Sequence, residues 1–255
     1  MSLRTLNLSI CIILSSLVVT CCTSTMPTRK ERARVREDMG RSLFLQGKPR
    51  EGLVHLLEAE KIDPSNPELQ QQLALVYQEI GEFDLSLKHF QKAIELNPKF
   101  PEAYNNMGIL YSQQKEWDKA LSCFEKAASD ILYRTPHFAY HNIGSVYFRR
   151  GDYSKAIENY EKAIKLAPDY VAAYYDLAVA YEKINQPEKA LEVYKETIPL
   201  TPQSLDIHLR MSRLYLKMNR KQEAINELDY IISTDPRSSY AKEAASLKNS
   251  IQQRK

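Results

Sequence analysis

Glycine is scarce in this chain, with seven in 255 residues, and there is one tryptophan, four cysteines and no surplus of either charge, 35 Lys+Arg against 32 Asp+Glu. Each shortage removes a class of function. A nucleotide-binding α/β enzyme needs glycine-rich turns between strands and helices and at the phosphate. Binding to nucleic acid needs concentrated positive charge, which a net +3 does not supply. Cys11, Cys21, Cys22 and Cys123 contain no Cys-x-x-Cys pair and give no disulfide framework. Nor is there a Ser/His/Asp order or a paired carboxylate at a plausible site, and Cys123 has no neighbouring His or Asp in sequence. The chain is therefore expected to be no enzyme, to hold no cofactor or metal, and to act on no small molecule and no nucleic acid. What it does have is an ordinary globular mixture, 44% hydrophobic and 26% charged.

The first residues read as an address. Arg4 is the one charge before an apolar run from Leu6 to Val19, which is too short to span a bilayer comfortably. The run ends in Val18-Val19-Thr20-Cys21-Cys22-Thr23, which is similar to the lipobox of bacterial lipoproteins. Lipidation is expected on Cys22 or Cys21. The small residue usual before the lipidated Cys would be Cys21 or Thr20, and a thiol is nearer to Ser in bulk. Plain signal-peptide cleavage and a retained anchor helix are the other readings of this segment. Thr23 rather than Asp follows Cys22, which resembles outer-membrane sorting. The expected plan is a signal peptide at 1–21, a linker at 22–32 and a lipid anchor in the outer membrane facing the periplasm.

Beyond the linker the sequence repeats itself. Gly-Glu-Phe-Asp from Gly81, Lys-Glu-Trp-Asp from Lys115, Gly-Asp-Tyr-Ser from Gly151 and Asn-Gln-Pro-Glu from Asn185 recur at about 34 residues, with Gly47 and Asn219 extending the series. That period marks tetratricopeptide helix hairpins. Six units are expected, at 33–66, 67–100, 101–136, 137–170, 171–204 and 205–238. Position 8 of the unit is Gly40, Ala74, Gly108, Gly144, Ala178 and Ser212, and position 20 is Gly52, Ser86, Ala120, Ala156, Ala190 and Ala224. Small side chains there let two helices cross closely. Position 24, with Leu56, Phe90, Phe124, Tyr160, Tyr194 and Leu228, fills the space they leave. Pro64, Pro98, Pro168, Pro202 and Pro236 stop the second helix. Residues 239–255 read as an amphipathic helix covering the end of the stack. The fold class is thus all-α, a right-handed superhelical solenoid of six hairpins with a C-terminal capping helix.

In such a solenoid the first helix of each unit lines a concave groove, and function is expected there. Phe44, Leu45, Leu75 and Ile109 are expected to give it an apolar floor at one end. Asn105, Asn106, His141 and Asn142 offer donors and acceptors to the backbone of an extended peptide. Asp176, Arg210 and Arg213 follow, the last two bringing positive charge that would suit an acidic or carboxylate-ended ligand. Solvent-facing Asn and charge are also commonplace on helices, so each residue has a bland reading beside the functional one. His137 and His141, four apart on one helix, lack a third ligand for a metal.

The third unit is two residues too long, at 128–136, where Leu132 stands in place of the expected proline. With Tyr104-Asn-Asn-Met-Gly-Ile-Leu-Tyr111 before it and His141-Asn-Ile-Gly-Ser-Val-Tyr147 after it, this region resembles the PilF/PilW family of type IV pilus biogenesis lipoproteins. The resemblance implies a pilotin: a lipid-anchored assembly factor that binds the pilus secretin, through the groove, and promotes its localisation or multimerisation. A general periplasmic adaptor that scaffolds envelope enzymes or other assembly machinery would have much the same sequence outside 128–136.

Overall fold

The computed structural model of the chain describes residues 27–253, so the segment expected to be a signal peptide and the two cysteines expected as lipidation sites, Cys21 and Cys22, lie outside the described residues. Within that span the protein is all-α, thirteen helices joined by short turns, as the repeat predicts. It divides into two compact units, one ending at Glu82 and one beginning at Phe83. The division falls inside the repeat expected at 67–100, at its internal turn.

Unit 1 contains α1 (Arg29–Leu45), α2 (Pro49–Ile62) and α3 (Pro67–Glu79). The expected linker to residue 32 is too long. Thr28 caps α1 by accepting from the Glu31 amide while the Glu31 carboxylate accepts from the Thr28 amide, so the helix begins at Arg29. Pro49 and Pro67 open α2 and α3, where a missing amide costs nothing. Gly40 and Gly52 face each other at the crossing of α1 and α2. A Cβ on Gly52 would lie 2.6 Å from the Gly40 carbonyl oxygen. The core is Leu56, Ala59, Leu69, Leu73 and Val76.

Unit 2 contains α4 (Phe83–Leu96), then the hairpins α5 (Pro101–Gln113) with α6 (Trp117–Ser129), α7 (Pro136–Arg149) with α8 (Tyr153–Leu166), α9 (Val171–Lys183) with α10 (Pro187–Thr197), and α11 (Leu205–Lys217) with α12 (Lys221–Thr234), closed by α13 (Ser239–Gln253). Each helix packs on the next, and α7 also meets α5 on one side and α9 on the other. Ala156, Tyr160, Ala178, Tyr181, Ala190, Tyr194, Met211 and Tyr215 belong to one continuous core running through successive hairpins. On α13, Ala244 with Leu247 and Ile251 covers Leu209, Leu228 and Ile231. Pro199 breaks α10 early, and the chain tightens into a short 3₁₀ turn over Ile198–Leu200.

The turns carry the periodicity most plainly. Gly47, Gly81, Lys115, Gly151, Asn185 and Asn219 all have positive φ, between 56° and 84°. Five are Gly or Asn, which adopt this conformation readily. Lys115 is the exception and bears backbone strain.

Candidate functional site

In unit 2 the first helices of successive hairpins form a continuous face, and its polar side chains obey a rule of register. Position 5 of one repeat reaches position 6 of the next. Asn142 Nδ2 donates to Asn105 Oδ1 at 3.1 Å, tying α7 to α5. His141 Nε2 lies 2.8 Å from Asp176 Oδ2, tying α7 to α9. Arg210 sits over the Tyr175 ring, 4.9 Å from its centroid, tying α11 to α9. Unit 1 repeats the pattern, since Gln72 Nε2 donates to Glu37 Oε1 at 2.8 Å, with Asn66 Nδ2 donating to Oε2 at 3.0 Å. Burial, then the neighbouring Asp38, raises the Glu37 carboxyl above its usual range, with Arg41 opposing.

Around these pairs the tyrosines act as donors. Tyr170 lies with its hydroxyl 3.3 Å from His141 Nδ1. His141 thus bridges Asp176 at Nε2 and Tyr170 at Nδ1. The Tyr175 hydroxyl donates to Asp206 Oδ2 at 2.8 Å, and Tyr194 donates to Glu182 Oε1 at 2.5 Å. Burial first, and the carboxylate it serves second, push Tyr175 up to about 12, so it keeps its proton. Arg210 Nε in turn donates to Asp206 Oδ2 at 3.1 Å and its guanidinium lies 3.6 Å from Glu182.

This geometry redistributes the residues expected to bind. Asn105 is 7% exposed and engaged, so it is part of the packing rather than of a free row. Arg210 is held by Asp206 and Glu182, and Arg213 pairs with Glu243. The positive charge expected at that end is therefore neutralised, and no carboxylate clamp is formed by these two arginines. Phe44 is half-buried against the core of unit 1, which makes it a packing residue, and Ile109 is half-buried against Phe124, Ile143 and Val146. Leu45 is 78% exposed at the end of α1, and Leu75 is half-buried on α3. Asn106 has no hydrogen-bonded partner among the described residues and is half-buried. His137 packs its ring against Phe138 and Tyr170, at 4.2 and 5.2 Å between centroids. Burial lifts the Cys123 thiol to about 11, which makes it a poor nucleophile at neutral pH.

Sequence models of helical repeats match this architecture. One model described as TPR repeat matches residues 79–115 and 144–185, and two described as tetratricopeptide repeat match 102–130 and 186–248, together more than half of the chain. The chain belongs to the tetratricopeptide repeat proteins. No curated sequence is a significant match to it. Among solved structures, this tetratricopeptide repeat protein is similar to PilF of Pseudomonas aeruginosa, with 23% identity and a TM-score of 0.72 over 86% of this chain and 99% of that one. PilW, described as a widely conserved type IV pilus biogenesis factor, aligns with 20% identity and a TM-score of 0.72 over 84% and 98% of the two chains. YrrB, described as having an unusual peptide-binding site, aligns with 18% identity and a TM-score of 0.59 over 75% and 97%. At these identities the likeness is one of fold.

Sequence reasoning missed the register rule itself, Tyr170, and the pairing roles of Asp206 and Glu182, which it placed on the groove only as charges. The signal was present, as complementary polar residues one period plus one apart. It also missed His208, 7% exposed, whose Nδ1 lies 2.6 Å from Glu227 Oε2 and whose ring lies 4.1 Å from that of Tyr230. Among the described residues no helix is long and apolar enough to cross a membrane.

Proposed function

We propose that the protein is a non-enzymatic assembly factor of type IV pili, held at the outer membrane by lipid on Cys22 or Cys21, that binds the pilus secretin and promotes its localisation or multimerisation. The observation that supports this reading is the likeness in fold to PilF and to PilW, the latter described as a type IV pilus biogenesis factor, over 99% and 98% of those chains and 86% and 84% of this one. Binding is assigned to the faces of the first helices. With Arg210 paired to Asp206 and Glu182 and the exposed Arg213 paired to Glu243, these faces suit an extended segment with little charge. On unit 2, Asn106 supplies a free amide for a peptide backbone. Unit 1, taken by itself, offers apolar contact at the exposed Leu45 and half-buried Leu75.

Deleting the gene and following the secretin tests the proposal. The expected result is persistence of secretin monomer with loss of assembled multimers, and normal multimers in the deletion strain refute it. Asn106→Ala, with an unchanged circular dichroism spectrum, should lower secretin co-purification from detergent extracts. Recovery of peptidoglycan enzymes in place of secretin would favour the envelope-adaptor reading. Cys21→Ser and Cys22→Ser, compared for incorporation of labelled palmitate, identify the anchored residue.

A further inference from the structure

The two extra residues of the third repeat have a place in the fold that the groove does not explain. Ile131 is 96% exposed and Leu132 is 77% exposed, in the turn between α6 and α7. Isolated aliphatic side chains on a surface need no explanation, but this turn is built to hold them out. Asp130 Oδ1 accepts from the Leu132 amide at 2.8 Å, and the Tyr133 amide donates to the Asp130 carbonyl at 3.1 Å. Tyr133, 6% exposed, then clamps the chain by packing with Ala127, Ala139 and Tyr104. The two aliphatic side chains form the wall of a cleft of about 460 Å³ whose other lining includes Phe100, Pro101 and Tyr104. Lys99 and Lys126 stand beside it, Lys126 over the Tyr104 ring at 5.3 Å from its centroid. Neither lysine forms an ion pair with a carboxylate among the described residues; Asp130 also lines the cleft, with Oδ1 taken by the Leu132 amide, and leaves the two lysines a net positive charge there.

We infer that this turn and cleft are a second docking site, separate from the faces of the first helices, for an extended protein segment that carries a bulky apolar side chain beside carboxylates. The apolar side chain enters against Phe100 and Leu132, and the carboxylates meet Lys99 and Lys126. A flat bilayer would touch the Ile131 tip without reaching the cleft floor. A second copy of the chain would have to bring an acidic apolar segment of its own.

The test is fluorescence anisotropy on the purified full chain in detergent, with three dye-labelled peptides that share a central Leu-Trp and have flanks of Glu, Ser or Lys. The Glu-flanked peptide is expected to bind about tenfold more tightly than the Ser-flanked one, with salt narrowing the gap, and the Lys-flanked peptide not to bind. The exposed pair Ile131→Ser and Leu132→Ser should abolish binding with an unchanged circular dichroism spectrum. Lys99→Gln with Lys126→Gln should make the Glu and Ser peptides equal. Asn106→Ala should leave all of this unchanged, which separates the site from the secretin proposal. Absent binding of the Glu-flanked peptide, equal affinity for the Ser-flanked one, or binding that survives the double serine variant each overturns the inference. So does self-association, or sedimentation with phosphatidylglycerol vesicles, that the double serine variant removes, because the occupant would then be a second copy or a lipid surface.

Discussion

The first hairpin and the α9/α10 hairpin solve one crossing problem with different materials. Between α1 and α2 both crossing positions are glycine, backbone approaches backbone, and Leu56 fills the remainder. Between α9 and α10 the crossing residues are Ala178 and Ala190, and the fully buried Tyr194 is the filler. The leucine ends in the core. The tyrosine continues through it, and its hydroxyl reaches Glu182, which faces Arg210 of the next repeat. The Tyr194 hydroxyl therefore couples the interior of its hairpin to the polar ladder between hairpins, which Leu56 cannot do.

Gly108→Leu should have the largest effect on this contrast, because even a Cβ there would lie 2.6 Å from the Phe124 ring. A loss of about 3 kcal/mol or more is expected in urea unfolding. Pairing Gly108→Ala with Phe124→Leu should recover stability, since the obstacle is a side chain. Gly52→Ala should cost about 2 kcal/mol and should not be rescued by Leu56→Val, since its obstacle is the Gly40 carbonyl. If Leu56→Val does rescue it, the distinction between backbone and side-chain crossings fails. Tyr194→Phe keeps the filler and removes the coupling. About 1 kcal/mol of destabilisation is expected, with a non-additive double-mutant cycle against Arg210→Ala.

Lys115→Gly should stabilise by about 0.5 kcal/mol, as left-handed strain is relieved and part of the gain is offset by unfolded-chain entropy. An unchanged or lower urea midpoint would contradict that. The smallest effect concerns pH. Burial, set against Asp169 and aided by His141, holds His137 below its ordinary 6.5. Its contribution is then present above pH 6.5 and is lost as pH falls through the folded-state value. His137→Asn should therefore flatten the fall in urea midpoint between pH 7.5 and 5.5, and an identical slope in variant and parent would exclude His137 as its source.

The hairpins were legible because each structural duty recurs every 34 or so residues. Gly47, Gly81, Gly151, Asn185 and Asn219 announce left-handed turns by residue type, and small residues announce crossings. Lys115 could be placed only by its spacing from the others, since nothing in lysine's chemistry asks for positive φ. The face of the first helices was legible as residues but not as roles. Asn105, His141 and Arg210 look like ligands for a peptide when one repeat is read alone, and each is engaged once the neighbouring repeat is laid beside it. Phe44 misled for a related reason. Its place on the first helix suggested the groove, whereas its ring meets the core of unit 1. The break at 128–136 was visible as an irregularity, but its outward-facing side chains depend on Asp130 and Tyr133 fixing the turn, which spacing does not reveal.

Cys123 sits on α6 opposite none of these contacts, 6% exposed, with its proton retained. In any form of the chain that starts beyond Cys22 it is the sole thiol. The rate at which a maleimide dye reaches that sulfur is thus a native clock for the opening of the third hairpin, readable in the presence or absence of a bound partner without introducing a probe.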